Sequence, residues 1–267
     1  KLNLDRARVL PAAGQADKYI LVDAASQRLF MYEDGELAGS MDVIVGKPQK
    51  GSQTPMLAAL IRAAAVNPYW NVPPDLVRKN IATNVLDLGT GYLRDRGYEV
   101  LSGWTDDAEL LDPEAVDWQA AAAGRENVRV RQLPGEDNFM GDIKFMFPNR
   151  FGVYLHDTPD KELFAEEQRT LSSGCVRLSD APRLARWLYG EMPEADPGVA
   201  EQEVPLAEPV PVYITYLTAD WDGEKVALRE DFYGRDRISG DRFASAGQGA
   251  GHWTVRPGDR KGTNIHC

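Results

Sequence analysis

The chain has 267 residues, 43% hydrophobic, 27% charged and 9% aromatic, a globular composition with room for one large domain or two modest ones. Its 30 basic and 41 acidic side chains leave a formal charge of −11 and no basic stripe of the kind phosphate backbones require, which excludes nucleic acid as a partner. No apolar run reaches the roughly 18 residues that span a bilayer. The two cysteines, Cys175 and Cys267, with three histidines are too few for a disulfide scaffold or a structural zinc site, so neither metal nor other cofactor is expected.

Residues 1–17 read as a connector, broken by Pro11 and Gly14. They open without the apolar stretch of a signal peptide, which leaves a cytosolic protein or a chain whose leader is missing, and the start at Lys rather than Met favours the second expectation. Short strands then follow at 19–23, 28–32 and 40–46, the second and third joined by Asp34-Gly35, a strong hairpin dipeptide. Tight turns between short strands predict an antiparallel sheet. From Asn67 the pattern changes. Asn67-Pro68-Tyr69-Trp70-Asn71-Val72-Pro73-Pro74 is too rich in proline for a strand interior, and Asp75 is placed to cap a helix through Leu76, Val77 and Lys79. Residues 68–139 therefore read as an insertion with small helices of its own, too long to be a structureless loop.

Strand patterning returns at 142–147 and 151–155. Ser179 or Asp180 caps a helix with Pro182 in its first turn and Leu184, Trp187 and Leu188 on one face. The acidic, proline-bearing stretch 191–209 reads as a loop, and 210–217 as a last strand, with Pro211 placing it near an edge. The glycine-rich tail beyond Asp236 is expected to be disordered or loosely docked.

The chemistry concentrates in Tyr154-Leu155-His156-Asp157-Thr158-Pro159 and Ser172-Ser173-Gly174-Cys175-Val176-Arg177. A thiol is a strong nucleophile only as thiolate, and a nearby imidazole both removes its proton and stabilises the anion. His156 closes a predicted strand and Cys175 follows a turn, positions from which catalytic side chains project. Gly174 permits a turn that aims backbone amides at a carbonyl oxygen. Either residue alone also fits a bland role, the cysteine as a small buried hydrophobe and the histidine as a hydrogen-bonding group. Polar neighbours on both sides of Cys175 argue against pure apolar packing.

His156, fifteen further residues, and then Ser172-Ser173-Gly174-Cys175-Val176-Arg177 resemble the signature of the L,D-transpeptidase (YkuD-type) catalytic domain. Ile44-Val45-Gly46, Thr54-Pro55, Asn67 to Pro73, and Leu155 to Pro159 extend the resemblance toward the large YcbB-like periplasmic branch. Ser173 stands where the usual signature has histidine. The resemblance implies a mainly β fold with some α: a β-sandwich catalytic domain formed by 18–67 and 140–218, interrupted by a helical capping subdomain at 68–139. Residues 219–267 are left as a partly disordered C-terminal extension. It also implies a periplasmic or cell-envelope location, peptidoglycan stem peptides as substrates and carbapenems as covalent ligands.

By the same resemblance Cys175 attacks the stem-peptide amide and His156 is the base. The Asp157 backbone orients the imidazole, and amides from Ser173 through Gly174 to Cys175 form the oxyanion hole. Arg177 meets a substrate carboxylate, Tyr154 lines the pocket, and Trp70 with Asn71 borders the bound peptide. The insertion shields the thioester from water as a lid. Two alternatives remain at this stage: hydrolysis of the same thioester, as in a carboxypeptidase or amidase, and a wall-binding domain without chemistry. A papain-like protease fits poorly, because there the cysteine precedes the histidine at long range.

Overall fold

The computed structural model describes residues 1–12, 16–105, 107–194, 196, 198–221 and 224–237. Strands β1 (Lys18–Asp23), β2 (Arg28–Glu33) and β3 (Glu36–Gly46) form where the alternation predicts them. The β2–β3 turn has φ of 52° at Asp34 and 83° at Gly35. Two successive left-handed residues give the primed turn whose twist suits a hairpin.

Leu57–Val66 forms β4, an element its composition hides. Five of its ten residues are alanines, which have low β propensity and blur the alternation. Ala63 to Val66 are nonetheless almost fully buried, so burial on both faces decides the conformation.

Further strands are β5 (Trp70–Asn71), β6 (Tyr98–Leu101), β7 (Arg129–Gln132), β8 (Ile143–Met146), β9 (Leu155–His156), β10 (Thr170–Ser172), β11 (Val176–Leu178) and β12 (Gln202–Thr215). The main sheet runs β10-β3-β11-β9-β8-β4-β12-β1-β2, and β2 pairs back onto β3. The circuit of pairings thus closes around one core of Ile20, Leu29, Phe145, Leu155, Leu178 and their neighbours. This is the mainly β, sandwich-like architecture expected, but the sheet is mixed. The pairs β1–β12, β9–β11 and β3–β10 are parallel, each joining strands separated by a long connection rather than a tight turn.

Strand β12 corrects two expectations. It begins at Gln202, inside the predicted loop, with an irregularity between Pro205 and Val210. It is also internal, flanked by β4 and β1. Pro211 is tolerated because pairing with β1 starts only at Val212.

The insertion builds a second core. Its antiparallel sheet β5-β7-β6 packs with the helical stretch Pro74 to Leu88 around Val72, Val85, Leu93, Val100, Trp118 and Val130. The helix starts after Pro73 with no side-chain cap, so Asp75 sits in the first turn instead of capping it. The π-turn Val77–Ile81 within it was not foreseen.

Both ends dock. Leu2–Ala7 is a helix, and its buried Arg6 donates to the Tyr216 carbonyl at 3.0 Å and pairs with Asp236 at 2.7 Å. After the exposed hairpin Ala219–Trp221 and Val226–Leu228, Phe232 and Tyr233 pack on Tyr216 with ring centroids 5.4 and 5.0 Å away. The glycine-rich tail and Cys267 lie outside the described residues.

Candidate active site

Strands β9 and β11 are parallel neighbours, with Leu155 opposite Val176 and His156 opposite Arg177. Leu155 and Val176 are fully buried in the main core. Two-residue alternation therefore directs Tyr154, His156, Cys175 and Arg177 toward the other face. His156, Cys175, Arg177, Ser173 and Trp70 line one cavity of about 40 Å³. Trp70 is also shared with a neighbouring cleft of about 320 Å³, where Asn71, Tyr154 and Lys144 contribute. Most of the predicted residues thus fall in two adjoining spaces; Asn71 and Tyr154 belong only to the larger, and Asp157 and Gly174 line neither.

His156 is 4% exposed, and its Nδ1 lies 2.5 Å from the Asp157 carbonyl oxygen. A carbonyl only accepts, so Nδ1 carries the proton and Nε2 keeps a lone pair in the neutral ring. Burial pushes the His156 pKa down to about 3, helped by the positive charges of Arg177 and then Lys144; the Asp157 and Met140 carbonyls act in the opposite sense. The imidazole is therefore neutral and able to accept a proton at ordinary pH. A thiolate beside it would raise its basicity, because an opposite charge favours the cation.

Asp157 contributes its backbone to His156 and its side chain elsewhere. Its carboxylate accepts from Lys161 Nζ at 2.6 Å and from the Asp142 amide at 3.2 Å. A Cβ at Gly141, where φ is +61°, would lie 2.5 Å from the Asp157 side chain, so only glycine fits that turn.

The turn before Cys175 is braced from both sides. Ser172 Oγ donates to the Cys175 carbonyl at 2.6 Å and accepts from the Gly174 amide at 3.1 Å. Thr54 Oγ1 donates to the Gly174 carbonyl at 2.8 Å. Gly174 has a φ of 132°, which side-chain-bearing residues avoid. The Tyr154 amide donates to Cys175 Sγ at 3.1 Å. Cys175 is 2% exposed and is disulfide-bonded in this structure.

Arg177 pairs with Asp160 at 3.3 Å while lining the small cavity. Burial pushes its pKa down, and Asp160 opposes that. Several residues escaped the sequence reading. Met140 and Phe139 wall the cavity, Thr54 and Ser172 hold the turn, and Lys144 faces His156 from β8 in direct register. Lys144 had a local signal, a cation between the apolar residues Ile143 and Phe145, while Thr54 and Ser172 lay within motifs of the family resemblance without a role assigned to either. Among the described residues no cluster of His, Cys, Asp and Glu has a metal-binding arrangement, and no helix is long and apolar enough to cross a membrane.

The model of the YkuD L,D-transpeptidase catalytic domain matches residues 17–214, and the chain belongs to that family. A candidate L,D-transpeptidase of Haemophilus influenzae is 31% identical over 243 residues, covering 88% of this chain and 47% of that protein. The chain thus spans about half the length of this relative. Among solved structures, an L,D-transpeptidase from Mycobacterium smegmatis aligns at 14% identity over 74% of this chain and 58% of its own, with a TM-score of 0.37. The catalytic domain of the E. faecium L,D-transpeptidase acylated by ertapenem aligns at 15% identity over 75% of this chain and 98% of its own, with a TM-score of 0.34. Likeness at these scores adds nothing to the assignment.

Proposed function

We propose that this chain is a peptidoglycan L,D-transpeptidase of the periplasm or cell envelope, with Cys175 as nucleophile and His156 as base. The observation that carries the reading is the shared face of β9 and β11. It sets His156, whose Nδ1 donates to the Asp157 carbonyl, in one cavity with Cys175.

A small-molecule dithiol first opens the Cys175 disulfide by exchange, freeing the Cys175 thiol while the reductant becomes the disulfide. The thiol then gives its proton to His156 Nε2, and sulfur attacks the carbonyl between the third and fourth residues of a tetrapeptide stem. The C–S bond forms, the C–N bond breaks, and D-alanine leaves with the proton returned by His156. Amides around Gly174 face the developing oxyanion; the Gly174 amide already donates to Ser172, so those of its neighbours are the better candidates. Arg177 holds a substrate carboxylate, exchanging part of its pairing with Asp160. The amine of a second stem next attacks the thioester, yields its proton to His156, and releases a 3–3 cross-link with the free thiol. Trp70 and Tyr154 flank the stem, and the insertion keeps water away from the thioester.

Incubating the reduced protein with disaccharide-tetrapeptide and resolving products by mass spectrometry tests this directly. A cross-linked dimer with wild type, and none with Cys175→Ala, is expected. Trimmed monomer without dimer would replace transfer by hydrolysis. Unchanged substrate, with Cys175 inert toward a carbapenem, would leave a wall-binding module.

A further inference from the structure

Thr54 and Tyr233 lie outside the cavity, yet a continuous hydrogen-bond chain runs from them to the turn that carries Cys175. Thr54 Oγ1 donates to the Gly174 carbonyl at 2.8 Å and accepts from the Gly46 amide at 2.8 Å. The Thr54 amide in turn donates to Tyr233 Oη at 3.2 Å, and Tyr233 Oη donates to the Gly46 carbonyl at 2.6 Å. Arg235 Nη2 closes the set on the Thr54 carbonyl at 2.8 Å. Thr54 is fully buried and Tyr233 is 5% exposed, so water does not replace these partners.

The arrangement has no slack. A Cβ on Gly46 would sit 1.9 Å from the Ser52 carbonyl oxygen and 2.7 Å from the Thr54 amide, so β3 and the Thr54 loop are in the closest possible contact. Tyr233 is itself clamped. Its ring stacks on Tyr216 at 5.0 Å, its amide donates to Tyr216 Oη at 3.0 Å, and the Arg235 guanidinium lies 4.6 Å from its centroid. Gly174, the recipient of this bracing, holds a φ of 132° that the turn must maintain for the neighbouring amides to keep their direction.

We propose that Tyr233 is a positioning residue for the acyl-transfer reaction, acting through Thr54 to hold the Gly174–Cys175 turn in register with His156. Tyr233 lies beyond residues 17–214, so this bracing comes from the segment that follows the catalytic domain proper. The inference rests on the reading of Cys175 as nucleophile. It adds that the chain after β12 is part of the working site, and that an oxyanion-directing turn is tensioned from behind by a phenol and a threonine hydroxyl.

The test is the rate at which the reduced full chain is acylated by ertapenem, followed by intact mass, with the adduct mapped to Cys175. Tyr233→Phe keeps the ring and its stack on Tyr216 but removes the hydroxyl. It is expected to slow the maximal acylation rate about tenfold, as loss of one buried hydrogen-bonding group allows, with the half-saturating drug concentration unchanged. Thr54→Val should slow it at least as much, and Thr54→Ser, which keeps the hydroxyl, should restore it to near wild type. A structural role alone predicts a different pattern: loss of rate in proportion to loss of melting temperature, with no recovery in Thr54→Ser. That pattern, or a wild-type rate in Tyr233→Phe, overturns the positioning role while leaving Cys175 as nucleophile. A wild-type protein that takes up no drug at all overturns both.

Discussion

The main sheet and the insertion solve the problem of a core in opposite ways. The main sheet closes its circuit of pairings through β3 around a fully buried core that includes Ile20, Leu29, Phe145, Leu155 and Tyr216, with Leu37 and Leu60 left at its surface. The insertion packs a three-stranded sheet against one long helical stretch and keeps several large side chains at its surface, Leu88 and Trp104 among them. The cavity sits at their boundary. Every side chain with acid–base or nucleophilic chemistry comes from the closed sheet, whereas the insertion lends it only the apolar Trp70 and Leu76, beside Phe139 at its end. A closed sheet fixes the side chains it presents more precisely than a loop can, which is what a preorganised site requires.

The largest effect expected is on chemistry alone. Compared with the reduced wild type, reduced Cys175→Ala should lose acyl transfer by about a thousandfold or more, while melting temperature and insertion stability hold. A residual rate near wild type would remove the nucleophile from the main sheet altogether. Next, Gly141→Ala should cost about 3 kcal/mol, because its positive φ and the Asp157 side chain leave no room for a methyl group. Denaturant titration reads that loss, and transfer should fall with it, since Asp157 carries the carbonyl that fixes His156.

Trp118→Ala, in the second core, should cost about 3 kcal/mol locally. Hydrogen exchange would rise across the insertion while β9 and β11 stay protected, and alkylation of reduced Cys175 should keep its rate. Loss of protection spreading evenly over both units would show that they are one cooperative core.

The pH dependence separates the units more gently. The folded His156 pKa, at about 3, lies below the unfolded value of 6.5, so the unfolded chain takes up the proton first as pH falls. This contribution is full above pH 6.5 and is lost on the way down to about pH 3. Main-sheet protection should weaken across that window, less so in His156→Gln, with little change in the insertion. The smallest effect is on Trp70→Ala, which should raise the half-saturating substrate concentration by about threefold and leave the maximal rate nearly intact.

Much of the fold was legible where aliphatic alternation was clean. Strands β1, β2 and β8 fall within a residue or two of their patterns, and the Asp180 cap with Pro182 marks the following helix. Strand β4 was hidden by alanine, and the first half of β12 by acidic residues and prolines, because both owe their conformation to partners rather than to local preference. Residue type alone left bland readings of His156 and Cys175 open, and the resemblance of their spacing to the family signature singled them out; the structure brings both to one cavity. The brace was not: Thr54 and Tyr233 are 179 positions apart, and no local pattern joins them.

What the sequence determined by itself is chemical: a thiol after a Ser-Ser-Gly turn, an imidazole at a strand end, and an insertion too long to be a loop. The tertiary structure alone decided which face those groups share, how deeply His156 is stripped of water, and that a phenol from beyond β12 is joined by hydrogen bonds through Thr54 to the turn that carries Cys175. Residue type and spacing are local properties of the chain. Desolvation and register are set by what distant segments bring alongside, and they exist only once the sheet has closed.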